Sequence, residues 1–88
     1  MSQYLLKQKL RVRGKSGIVH VVDVVCINGE KFVYIDLNKE RIMEVLSKFI
    51  TCIDAGLKAY VRANRTLSDL AIEIIEKVGG ILDIVKTH

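Results

Sequence analysis

The apolar residues of this chain change period at Leu37, and that change dictates the kind of fold the chain can form. Up to that point the pattern is that of strands. In residues 4–13, Lys7, Lys9, Arg11 and Arg13 share one parity, while Gln8, Leu10 and Val12 share the other. Alternation places the two sets on opposite faces of a strand, the basic face outward and the other packed. Gly14-Lys15-Ser16-Gly17 is a turn, because its glycines accept positive φ. Residues 18–27 are dense in β-branched side chains, with apolar residues on both parities. Such a strand is expected to be covered on both faces. Asn28-Gly29 is a hairpin signal, and residues 30–36 form a third strand.

After Leu37 the spacing is helical. Asn38 is the expected N-cap, with Glu40 in the first turn facing the positive end of the macrodipole. Ile42, Val45, Leu46, Phe49, Ile50 and Ile53 fall at the separations that line one helix face. Gly56 stands where a C-terminal cap belongs. Leu57 to Val61 is a short strand, Ala63 to Arg65 a loop, and a second helix begins near Thr66 or Ser68. Its stripe is Leu67, Leu70, Ala71, Ile74, Ile75 and Val78. Gly79-Gly80 ends it, and Ile81 to Val85 is a last strand. The resulting order, β-β-β-α-β-α-β, predicts an α+β two-layer sandwich: a mixed sheet with two helices on one face. It forms a single domain over residues 1–88, with a basic hairpin region at 1–29 and a core at 30–88. Ile72 and Ile75 lie off the centre of the second stripe; surplus apolar positions of that kind suit either a homodimer or a helix more deeply buried in its own fold, and the homodimer is the expectation.

Composition supports one aliphatic core. Ile, Val and Leu contribute 31 of 88 residues, whereas aromatics are 6%. That content excludes disorder, and two cysteines exclude a disulfide scaffold. There is no apolar run of membrane-spanning length and no basic-then-apolar leader pattern. The expected location is cytoplasmic. Two Gln and three Asn beside many Ile, Val, Lys and Glu suit a thermophile.

Charge is unevenly placed. Lys7, Lys9, Arg11, Arg13 and Lys15 give residues 1–15 a charge of +5 with no acid. Residues 16–88 hold 9 basic and 10 acidic side chains, a charge of −1. A focused positive patch on a near-neutral body suits a polyanionic partner, DNA or RNA; lysines also serve to protect a sheet edge. Lys39 and Arg41 open the first helix, and Arg62, Asn64 and Arg65 follow the middle strand. Helix N-termini and the loops feeding them favour phosphate. Together with the basic strand, these groups form a candidate surface for tracking a nucleic-acid backbone.

Other chemistry is poorly supplied. Gly14-Lys15-Ser16 lacks the earlier glycine and following helix of a phosphate-binding loop. Cys26 and Cys52 lack the spacing of metal ligands and are expected as buried small hydrophobes. His20 is a lone strand histidine. The acidic residues Asp23, Asp36, Asp54 and Asp83 only punctuate element ends. No Ser/His/Asp or Cys/His set is visible. The expectation is therefore a non-enzyme without metal, cofactor or small-molecule substrate. Tyr4, Phe32, Tyr34, Phe49 and Tyr60 are expected to be structural, which disfavours reading of single strands by base stacking.

From Phe32 to about Val85 the chain resembles the Alba family of small archaeal nucleic-acid-binding proteins. The family's Gly-Lys-Lys-Pro-Val-Met-type helix opening corresponds to Asn38-Lys39-Glu40-Arg41-Ile42-Met43. Its glycine-closed helix, strand and Ala-Arg-Gly-Arg-type loop correspond to Gly56, then Leu57 to Arg65. Its second helix start corresponds to Thr66-Leu67-Ser68-Asp69-Leu70-Ala71. The resemblance implies an Alba-like core, dimerisation and nucleic-acid contacts at Lys39, Arg62 and Arg65. Glu40 reverses the charge of the family's second lysine, and the loop is one residue short. The family's C-terminal two-strand arm is replaced by a hairpin, Leu5 to Ile27, at the other end. The combined expectation is largely sequence-independent binding to phosphates, with a chromatin- or RNA-associated role. The alternative is a dimeric protein–protein or regulatory module that does not bind nucleic acid.

Overall fold

The structure, a computed structural model, describes residues 6–64 and 67–85. Its elements are β1 (Lys7–Arg13), β2 (Val19–Ile27), β3 (Glu30–Asp36), α1 (Ile42–Ala55), β4 (Lys58–Ala63), α2 (Asp69–Lys77) and β5 (Ile81–Ile84). The five strands form one sheet in sequence order. β1, β2 and β3 are antiparallel neighbours, while β3, β4 and β5 run parallel. The two crossovers advance in the same direction, so right-handed connections place α1 and α2 on the same face. The fold is therefore the two-layer α+β arrangement that the change of period implies.

Val22, Val24, Val33, Ile35, Ala59 and Val61 meet Cys52 and Ile75 in the core beneath the helices. On the other sheet face Val25, Phe32, Tyr34 and Tyr60 form a second buried cluster. Local signals are obeyed where backbone geometry demands them. Asn28 and Gly29 have φ of 51° and 82°, the pair of positive values that a tight hairpin requires. Gly56, at φ 69°, caps α1 by donating its N–H to the Cys52 carbonyl. The Ser68 hydroxyl accepts the Ala71 N–H at the start of α2.

Several sequence expectations are corrected. β2 is covered on both faces only in its second half. Val24 and Val25 are buried, but Val19 and Val21 are 44% and 58% exposed. The cause is the register: β3 pairs only with Val24–Ile27, so the first half of β2 leaves the sheet with β1 as a two-stranded ribbon. Asn38 is not an N-cap. The buried Asp36 carboxylate captures the Asn38 N–H at 2.9 Å, and its backbone carbonyl takes the N–H groups of Lys39 and Glu40. That turn delays α1 until Ile42, with Arg41 at the cap position and Glu44 as the first-turn acid. Glu40 lies outside the helix and turns inward, accepting the Asp36 N–H and pairing with Lys48 at 2.6 Å. β4 continues to Ala63, so Arg62 is a strand residue.

The expected apolar face of α1 is divided. Val45, Phe49 and Cys52 pack on the core. Ile42, Leu46, Ile50 and Ile53 face outward and are 49–74% exposed. The apolar stripe is wider than the contact that one sheet offers, and among the described residues no third layer covers the remainder. On α2 the surplus is Leu70 and Ile74, because Ile75 is in the core and Ile72 is half-buried. Of the cysteines, Cys52 is buried as expected, its thiol pushed up to about 11 by burial. Cys26 is exposed, where the sequence suggested burial.

Candidate nucleic-acid interface

Lys7, Lys9, Arg11 and Arg13 all lie exposed along the edge strand β1. Leu10 and Val12, on the opposite parity, pack on the core. Across the register the four basic residues face Val25, Asp23, Val21 and Val19, so a single acid lies opposite them. None of the four forms an ion pair among the described residues. The Lys7 ammonium instead sits 4.9 Å from the centre of the Tyr34 ring, a cation–π contact. Alternate residues on a strand stand about 7 Å apart. That is about twice the 3.4 Å axial spacing of charges along one DNA strand.

A side-chain network fixes where this ribbon points. Asp54, near the end of α1, receives the Ser16 N–H at 2.9 Å and the Ser16 hydroxyl at 2.7 Å. Its Oδ2 lies 2.6 Å from His20 Nε2, and Thr51 Oγ1 lies 3.2 Å from His20 Nδ1. The Lys15 N–H donates to the Asp54 carbonyl at 2.8 Å. Gly14 is buried against the same carboxylate, with no room for a Cβ. The ribbon is thus latched to the last turn of α1. Beside it, an open cleft of about 450 Å³ separates β2 from the first half of the helix.

Nothing local in the sequence signals that Ser16, His20 and Asp54 converge, because they lie on a turn, a strand and a helix. Their geometry is not that of a hydrolytic triad. Ser16 and His20 both bond the carboxylate, so the serine donates to Asp54 and has no imidazole base.

The bonds to His20 and then to Ser16 hold the Asp54 carboxyl below its ordinary 3.8, at about 2. A carboxyl depressed in the folded state contributes stability that is complete above its unfolded pKa and lost as pH falls through the folded one. The latch contribution therefore fades between about pH 4 and pH 2. Asp54→Asn should flatten the dependence of stability on pH across that window, measured by urea unfolding at several pH values. An unchanged profile would show that the latch does not titrate.

The other basic positions are more dispersed. Lys39 and Arg41 are exposed in the turn before α1. Asn64 is exposed after β4, and its N–H donates to Asn38 Oδ1 at 3.0 Å, tying the two loops together. Arg65 lies outside the described residues. Arg62 is half-buried and directed to Asp83, at 3.5 Å. Burial opposes its charge, but Tyr34, Tyr60 and Asp83 outweigh that and raise its pKa. Tyr34 and Tyr60 stack with centroids 6.1 Å apart. Both are buried, and their phenol pKa values are raised, first by burial and then by Asp36 and Asp83 respectively. They are closed to a stacking base.

The Lys39/Arg41 turn and the latched Lys15 turn attach to opposite ends of a helix 14 residues long, about 20 Å apart at 1.5 Å per residue. The fold therefore gives one continuous basic strand and a separate basic turn. Among the described residues, no group of three His, Cys, Asp or Glu side chains forms a metal site. No described helix is long and apolar enough to cross a membrane. No family model, curated protein or solved structure matches the chain.

Proposed function

We propose that the chain is a non-enzymatic nucleic-acid-binding protein that holds phosphates along β1. One observation carries the reading: four basic side chains project from one face of an edge strand without ion-paired partners among the described residues. The Asp54 latch supports it, because a ribbon fixed before binding loses less freedom on binding. Contacts of this kind follow the backbone and carry little sequence information. Kinship with the Alba family belongs to this proposal and rests on the residues quoted for it. Its chief discord, Glu40, is softened by geometry, since that carboxylate turns inward to Lys48.

The test is a salt-titrated gel shift against duplex DNA, single-stranded DNA and RNA. Four phosphate contacts predict a log–log slope of up to about −3.6 on duplex DNA. Absence of binding at low salt to all three would overturn the reading. The exposed aliphatic face of α1 and α2 would then favour the second one, a protein–protein module.

A further inference from the structure

We propose that the inner edge of β2, at Val19 and Val21, docks one extended peptide segment of a partner protein by strand addition. The antiparallel meander fixes which way the main-chain groups point. Ile27 and Glu30 flank the two-residue Asn28-Gly29 turn and pair with each other. The odd-numbered residues of β2 therefore bond towards β3 and the even-numbered ones towards β1. β3 pairs with β2 only as far as Val24. Beyond it the two strands part, and their facing edges differ. On β3, Lys48 Nζ donates to the Tyr34 carbonyl at 2.9 Å, and Glu40 accepts the Asp36 N–H at 2.6 Å. The Glu40–Lys48 ion pair thus caps that edge. On β2, the N–H and C=O groups of Val19 and Val21 have no partner among the described residues. An unpaired edge of this kind is a template for another strand.

The surroundings set the number and the chemistry of the occupants. The edge opens on the cleft of about 450 Å³, whose far wall is Met43, Glu44, Ser47 and Thr51 of α1. A strand seated there has the helix behind it, so one segment enters and no sheet grows. The Asp54 latch holds the ribbon at the last turn of α1, so the cleft is formed before any partner arrives. Side chains of the added strand alternate between two environments. One set lies beside the exposed Val19 and Val21, which favours β-branched apolar residues. The other turns to the helix side, where His20, Thr51 and Lys48 are already engaged. Glu44 is exposed there and forms no ion pair among the described residues. Lys9, across from Asp23 in the register, is on the other face. The partner segment therefore alternates apolar residues with Lys or Arg.

Amide hydrogen exchange and chemical shifts of the whole chain, read by NMR, test this with the end-blocked peptide Thr-Val-Lys-Val-Lys-Val-Thr as probe. In the free protein the His20 and Val22 amides, bonded to β1, are expected to be protected, and those of Val19 and Val21 to exchange freely. Millimolar peptide should shift Val19 and Val21 and bring them to the protection of their neighbours. The same peptide N-methylated on its valines should lose the effect. So should Val21→Pro, which removes an edge donor without touching a bond to β1. Circular dichroism checks the fold of that variant, and the N-methylated peptide decides on the wild-type chain if it does not fold. Val19 and Val21 amides as protected as His20 and Val22 in the free protein would mean that this chain or a second copy fills the edge, which overturns the proposal. Shifts confined to the groove between α1 and α2, no shifts at all, or equal binding of the N-methylated peptide overturn it too. No readout involves a polyanion, so the result is separate from that of the proposed function.

Discussion

Alanine at Lys7, Lys9, Arg11 and Arg13 together is expected to remove most of the salt dependence of nucleic-acid binding. Each phosphate contact contributes about 0.9 to the slope on duplex DNA, so four contribute up to about 3.6. Between 50 and 200 mM salt that slope corresponds to a roughly 150-fold loss of affinity. The variant should lose that sensitivity and bind all sequences more weakly by a similar factor. Folding should be little affected, since exposed substitutions cost no more than about 0.5 kcal/mol each. Lys7 adds its contact with Tyr34, about 0.5–1 kcal/mol at an exposed site. A Lys39→Ala/Arg65→Ala variant is the comparison. If it fails to bind while the β1 variant binds normally, contacts lie at the Alba-like positions and the ribbon reading is wrong.

Gly14→Ala is expected to be strongly destabilising. A Cβ there would overlap the Asp54 carboxylate, which His20 and Ser16 hold in place. Overpacking of this kind costs about 2 kcal/mol, or roughly 10 °C of melting temperature for a domain this size. Because the carboxylate is the obstacle, Gly14→Ala should cost less in an Asp54→Ala background. A thermal double-mutant cycle measures this. Strictly additive effects, or a wild-type melting temperature for Gly14→Ala, would show that the two groups do not meet.

Element order was legible because local signals and final positions agree. The basic parity of residues 7–13, the Asn28-Gly29 turn, the Gly56 cap and the helix start near Thr66 or Ser68 each depend on neighbours in sequence. The errors arose where distant groups compete for the same atoms. Asn38 was a sound N-cap on local grounds, but Asp36 takes its N–H. Arg62 read as a loop residue because nothing local announces that β4 extends to Ala63 beside Asp83. The α1 stripe was correctly apolar, yet how much of it is buried depends on how many layers cover it. The Asp54 latch was invisible in sequence, since Ser16, His20 and Asp54 become neighbours only after the ribbon leaves β3.

The order of the sheet also governs how copies of this protein avoid fibres. Among the described residues both edges are unpaired, and each resists strand addition differently. A second β1 laid antiparallel on the first would set Lys7 opposite Arg13 and Lys9 opposite Arg11. Like charges directly opposite are destabilising. β5, at the other edge, has only four residues, and short edge strands make poor templates. Continuous lateral growth is thus blocked at one edge by charge and at the other by length, leaving the helical face as the open route to association.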